Sequence, residues 1–200
     1  MSPTSEQIQK LRAMTGAGMM DCKNALVDAK DDIDKAVQIL REKGIATAVK
    51  KAVRTANQGL VASYIHAGGK LGVLVEVNCE TDFVARTEDF QALVKELSMQ
   101  IAAANPLYVK REDIPAEVIE KEKEIYRAQL AQEGKPENVM EKIISGKLEK
   151  FYSQVCLIEQ PYIRDTSGKE KVKDILNAAI AKTGENMVIR RFVRFRVGEE

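Results

Sequence analysis

Two kinds of hydrophobic periodicity stand back to back in this chain and leave little choice of fold class. Leu71, Val73, Val75, Val77 and Cys79 occupy every second position, whereas Phe90, Leu93, Val94, Leu97 and Ile101 recur at helical spacing. A period of two puts the first set on one face of a strand, and a period of 3.6 puts the second on one stripe of a helix. Each apolar surface has to be covered, and each is the natural cover of the other. Residues 60–66 alternate too and join 71–79 through Gly68-Gly69, which predicts a hairpin. Alternation returns over 187–197, with Ile189, Val193, Phe195 and Val197 expected on one side and Arg190, Arg194 and Arg196 on the other. That strand is expected to join the hairpin, giving an α+β fold in which an antiparallel sheet is covered by helices.

The remaining segments read as helices with identifiable ends. Residues 1 to about 45 predict three short helices. The first carries Ile8, Leu11 and Met14, and the second carries Met19, Cys22, Ala25, Leu26 and Ala29. The third carries Ile33, Ala36, Val37 and Leu40, opens at Asp32 and is expected to end at Gly44. Residues 46–58 are alanine-rich, carry Lys50, Lys51 and Arg54 and have no wide apolar stripe, so they read as a basic linker. The division is thus a three-helix domain over 1–45, a linker over 46–58 and an α/β core over 59–200.

Within the core, Thr87 is placed to cap the Phe90 helix, and Asn105-Pro106 to stop it. Pro115 opens another helix with a solvated run from Glu120 to Glu124. After Gly134 and Pro136 a further helix is expected to pack Val139, Met140, Ile143, Ile144, Leu148 and Tyr152 inward. Residues 157–165 read as extended, and Val172, Ile175, Leu176, Ala179 and Ile180 define a last helix closed by Gly184.

Composition and charge narrow the function. Thirty-one basic residues balance thirty acidic ones for a net charge of +1, so no global field steers the chain toward nucleic acid or an anionic membrane. Cys22, Cys79 and Cys156 are odd in number and far apart, which fits neither a disulfide framework nor a zinc site. Residues 1–15 lack an apolar signal core, and no apolar run approaches the roughly 18 residues needed to span a bilayer. A cytoplasmic location is expected.

Chemistry-bearing motifs are missing. Acid-base or nucleophilic catalysis needs paired groups, and the single histidine, His66, falls near a hairpin turn. Gly68-Gly69-Lys70 is followed by Leu71 where a phosphate loop needs Ser or Thr. Gly16-Ala17-Gly18 follows a helix, not a strand. The carboxylates lie in runs that read as solvated helix faces. No catalytic residue, metal ligand or cofactor is therefore assigned. The strand from Arg190 to Arg196 interleaves arginine with aromatics, as nucleic-acid grooves do, but also reads as the wet face of a sheet whose arginine stems cover apolar surface.

Two segments are specific enough to name a family. They are Leu11-Arg12-Ala13-Met14-Thr15-Gly16-Ala17-Gly18-Met19-Met20-Asp21-Cys22-Lys23-Asn24-Ala25-Leu26 and Val75-Glu76-Val77-Asn78-Cys79-Glu80-Thr81-Asp82-Phe83-Val84-Ala85. Together they resemble the bacterial elongation factor Ts family, exchange factors that release GDP from elongation factor Tu. Gly134-Lys135-Pro136, Glu159-Gln160-Pro161 and residues 192–198 extend the likeness over nearly the whole chain.

The resemblance implies a ubiquitin-associated-like three-helix domain, and contacts from it and from the loop of Thr81, Asp82, Phe83 and Val84 to the partner's GTP-binding domain. Carried over by position, Leu11, Met19, Met20 and Asn24 form the first contact and Asp82 and Phe83 the second, with His66 a candidate for a contact made by the core. Read from spacing alone, Asp82 equally suits a helix cap, Phe83 a core position under the following helix, and Met19 and Met20 packing between helices.

The chain departs from longer family members in holding one core unit, and it is expected to lack both a coiled-coil insertion and a helical module after the last strand. If the partner needs two core surfaces, pairing of the chain with itself through the sheet follows, noncovalent unless Cys79 or Cys156 takes part. Two other readings compete. A ubiquitin-type or nascent-chain module would account for the first 45 residues alone, and an RNA-binding protein would use the arginine strand.

Overall fold

The computed structural model describes residues 3–134 and 136–199, so Lys135 and Glu200 of the segments above lie outside the described residues. Three helices open the chain: α1 (Ser5–Thr15), α2 (Met19–Asp28) and α3 (Ile33–Lys51). Their ends are set locally. Thr4 and Gln7 form a reciprocal capping box, Gly16 closes α1 in the left-handed conformation, and Asp32 accepts from the Lys35 amide to start α3. Leu11, Cys22, Ala25, Leu26 and Ala36 are sealed between the three helices.

The expected stop at Gly44 does not occur. Gly44 is buried in mid-helix against the last helix of the chain, nearest Ala181 and the Asn177 carbonyl. A helix-ending glycine has to adopt the left-handed conformation, and here the residue serves helix packing instead. The alanines that follow favour continuation, and Ala48 packs into the main core. Residues 46–51, read as the start of a linker, are therefore helix. The three-part division remains a proposal about folding units, and α3 crosses its first boundary.

Strands β1 (Gln58–Ile65), β2 (Leu71–Cys79) and β3 (Met187–Arg196) form one antiparallel sheet with β2 in the middle. Val73, Val75, Val77 and Cys79 are buried on its inner face. Two helices close over them, α5 (Glu88–Ala104), which buries all five residues of the predicted stripe, and α8 (Val172–Thr183). A fully buried Val, Leu, Ile or Phe contributes roughly 1.5–3 kcal/mol. Its stripe thus outweighs any intrinsic helix preference in holding α5.

One expectation for β3 is overturned. Glu76 pairs with Arg191 but Val77 with Ile189, so Arg190 is an extra residue in the strand. Met187 and Ile189 face the core before this bulge. After it the parity reverses: Phe192 packs inward, Arg194 reaches the Ala102 carbonyl at 3.3 Å and the Glu199 carboxylate at 2.6 Å, and Val193, Phe195 and Val197 face out. Ile189 therefore does not share a face with those three. Their exposed side chains join Val61, Ile65 and Leu74 on a sheet face that no described element covers.

Helices α6 (Ala116–Gln132) and α7 (Glu137–Val155) form an antiparallel pair with its own small core of Leu130, Ile144 and Leu148, flanked by Tyr126, Met140 and Tyr152. Val139, expected inside it, is exposed. Arg111 anchors the pair at its base. Its guanidinium grips Glu149 at 2.7 Å and Glu159 on the adjoining turn, and it stacks 4.3 Å above the Tyr152 ring. That turn is a short 3-10 helix, Leu157–Glu159, where an extended segment was expected.

All three cysteines are free and buried. Burial pushes their thiols up, that of Cys156 to about 11. Neither Cys79 nor Cys156 is presented at the surface.

Candidate partner-binding site

β2 runs out at Cys79, whose thiol donates to the Thr81 carbonyl at 3.1 Å. Thr81 keeps extended backbone angles, and its hydroxyl accepts from the Val84 amide at 3.4 Å, which starts the one-turn helix α4 (Asp82–Ala85). The far end is fixed just as closely. Thr87 donates its hydroxyl to the Val84 carbonyl at 2.7 Å and caps α5 by accepting from Phe90. A single turn too short to be stable alone is thus held between two threonine caps.

This geometry decides the fate of each side chain. Ala85 is buried and Val84 packs against the main core, so the residues before them are turned outward. Phe83 is 77% exposed, which excludes the core position its residue type would suggest. Asp82 is not the helix cap; Thr81 is. The Asp82 carboxylate instead meets Arg86 one turn on, at 2.6 Å. An exposed pair at this spacing is worth about 0.3–0.5 kcal/mol, little enough for Asp82 to change partner readily.

Behind the turn stands a polar brace. The Thr81 amide and hydroxyl both donate to the Glu185 carboxylate, at 3.0 and 2.6 Å. Glu80 accepts from the Asn186 amide at 2.6 Å and lies 3.5 Å from Arg54. The Asn186 hydrogen bond, with Arg54 nearby, holds the Glu80 carboxyl below the usual range. Glu185 and Asn186 are not legible as part of the site from sequence, because they lie over a hundred positions away.

The N-terminal candidates divide. Met19, Met20 and Asn24 are exposed on α2, with Met20 and Asn24 one turn apart. Leu11 is completely buried in the cluster with Cys22, Ala25 and Leu26 of α2, so it supports that helix from within and does not itself meet solvent. Val27 is added to the surface, since it is exposed and continues the spacing of Met20 and Asn24; Met14, in α1, is exposed as well. The spacing of Val27 was a usable signal.

His66 is exposed at the tip of the β1–β2 hairpin, its Nδ1 2.9 Å from the Tyr64 hydroxyl. The eight steps of β2 separate that tip from the Thr81 turn by roughly 26 Å at 3.3 Å per residue. The structure therefore gathers Thr81 to Val84 in one turn and leaves His66 at the other end of the sheet.

A cleft of about 680 Å³ lies between the α1–α2 turn, α3, α8 and residues 165–170. It holds no histidine or cysteine, and two of its charges, Arg41 and Asp174, pair at 2.6 Å. No cluster of three or more metal-ligating side chains occurs among the described residues, and no helix among them is long and apolar enough to cross a membrane.

Comparison with known proteins places this geometry in context. The family model described as "Elongation factor TS" matches residues 4–169. A protein of Caldanaerobacter subterraneus named "Elongation factor Ts" is 64% identical over 196 residues, covering 98% of this chain and 97% of the relative. Its namesake in Thermotoga maritima is 59% identical over 199 residues, with 100% and 98% coverage. That of Geobacter sulfurreducens is 57% identical, with 100% and 91% coverage.

Proposed function

The chain belongs to the elongation factor Ts family, and from that premise we propose that it is a guanine-nucleotide exchange factor that releases GDP from elongation factor Tu by binding and stabilising the nucleotide-free state. The observation that carries this reading is Phe83, a large apolar side chain held 77% exposed on a turn fixed at both ends. A solvent-facing phenylalanine on a rigid support is suited to insertion into a partner's apolar pocket.

Such a factor makes and breaks no covalent bond, so no catalytic residue is assigned and no cofactor is invoked. It has only to bind the empty partner better than the loaded one, and linkage then requires nucleotide to weaken the factor equally. A shift of about 10⁴ in affinity needs about 5.5 kcal/mol of coupling. Burying one phenylalanine supplies roughly 1.5–3 kcal/mol, so Phe83 cannot act alone. The grip is divided. Phe83 enters the GTP-binding domain with Asp82 beside it, Met19, Met20 and Asn24 hold the same domain through adaptable packing, and the core, His66 included, holds another domain. Leu11 contributes by fixing α1 against α2.

The open sheet face supports one further part of the reading. Val61, Ile65, Leu74, Val193, Phe195 and Val197 form an apolar surface of the kind that packs face to face with a second sheet. A noncovalent homodimer through this face would offer the partner two core surfaces, in a protein that works in the cytoplasm. Light scattering is expected to give twice the chain mass, and Phe195→Asp to return it to the monomer mass. A monomer mass for the unaltered protein at tens of micromolar would remove the dimer.

The deciding measurement for the function is stopped-flow release of a fluorescent GDP from the cognate elongation factor Tu. Acceleration that rises with factor concentration is expected. No acceleration by correctly folded protein would end the exchange-factor reading, and retention on RNA that falls steeply with salt would favour the arginine strand as the working surface.

A further inference from the structure

We propose that Glu185 is a positioning residue for exchange: it clamps the Phe83 turn and, through the connection it sits in, ties that turn to the N-terminal helices. The inference rests on the exchange reading for its consequence and on geometry for its substance.

The clamp uses both carboxylate oxygens. One accepts the Thr81 amide at 3.0 Å and the other the Thr81 hydroxyl at 2.6 Å. Because the Thr81 proton is committed to Glu185, the hydroxyl lone pairs are turned toward the Val84 amide, which they accept at 3.4 Å. The hydroxyl is thus donor and acceptor at once, and Glu185 sets the orientation in which it caps α4. Without the carboxylate the hydroxyl is free to rotate and the Thr81 amide loses its partner. Phe83 sits two residues further on, on the turn that this cap initiates.

The residues flanking Glu185 reach elsewhere. The carbonyl of Gly184 accepts from Lys51 at the end of α3. The side-chain amide of Asn186 donates to the Arg54 carbonyl at 2.7 Å, and its backbone amide donates to Glu80 at 2.6 Å. Three consecutive residues therefore hold the exit of the N-terminal helices and the entry to the Phe83 turn. Two points of the proposed grip fall on the same partner domain, and residues 184–186 fix one against the other. A grip whose points move independently would lose binding free energy to reorganisation before it could strain its partner.

A merely structural role and a positioning role differ in what they do to a protein that already lacks Phe83. We therefore specify a double-mutant cycle on GDP release with Glu185→Ala, Phe83→Ala and the pair, with Glu185→Gln as the size-conserving control. Glu185→Ala is expected to slow release about tenfold, Glu185→Gln less, and Glu185→Ala less than about twofold once Phe83 is gone. Equal losses in the two backgrounds would overturn the proposal.

Hydrogen exchange of the free protein gives a readout that does not depend on the partner. Peptides covering residues 83–86 are expected to exchange faster in Glu185→Ala while those of α5 stay protected. Unchanged protection over 83–86 would also overturn the clamp. If the unaltered protein fails to release GDP while the turn still loosens in the variant, the exchange reading falls and the clamp stands.

Discussion

Phe83→Ala is expected to reduce the acceleration of GDP release by roughly 10- to 150-fold, the rate equivalent of the 1.5–3 kcal/mol that burial of a phenylalanine supplies. The melting temperature of the free protein should stay within about a degree of the original, because a side chain 77% exposed gives up little packing when it is shortened. The combination is diagnostic. Stopped-flow release and thermal unfolding on the same preparation separate a wedge, which loses rate and keeps stability, from a core residue, which loses both. Full rate retained by the variant would move the binding free energy to Met19, Met20 and the sheet. Asp82→Ala makes a useful companion, since its ion pair with Arg86 is too exposed for its loss to matter to folding.

The largest effect on stability is expected at a residue with no side chain. Gly59 lies in β1 opposite Asn78 with φ of +140°, a conformation that L side chains rarely adopt. A Cβ there would fall inside the van der Waals surface of the Val77 carbonyl and 2.7 Å from the Asn78 Cα. Both neighbours are backbone of the central strand and cannot swing aside. Strain at such a position costs about 1–3 kcal/mol, and an overpacked contact about as much again. Gly59→Ala should therefore lose about 4 kcal/mol and lower the melting temperature by roughly 8–16 °C, followed by far-ultraviolet circular dichroism. A drop of less than about 2 °C would mean that the two strands can part at this point without penalty.

The elements that sequence made legible are those whose information is local. The alternation of Leu71 to Cys79 and the stripe from Phe90 to Ile101 each state their own geometry, and capping by Thr87 and Asp32 needs only the next three residues. What stayed hidden depends on distant partners. Gly44 reads as a stop until α8 is laid against it. Thr81 and Asp82 are adjacent polar residues, and only the buried sides of Val84 and Ala85 decide which one caps and which one faces out. Glu185 carries no motif, since its meaning is a pair of hydrogen bonds across 104 positions. The pair α6–α7 was legible as two helices, but their pairing into an arm was not, because the small core between them comes from neither stripe alone.

The bulge at Arg190 behaves like a change of reading frame. Side-chain alternation in a strand is a two-letter code, and one inserted residue exchanges the meaning of every position after it. Flattening the bulge with Arg190 kept in the ladder would carry Phe195 and Val193 toward the helices and bring Arg194 out, leaving each amino acid after the bulge unchanged while inverting what it touches, whereas deleting Arg190 itself would leave every later residue on its present face. β3 should accordingly tolerate loss of the unpaired Arg190 far better than loss of a paired residue beyond it. The boundary between the molecule's inside and its sociable side is written there in a count of residues, not in their identities.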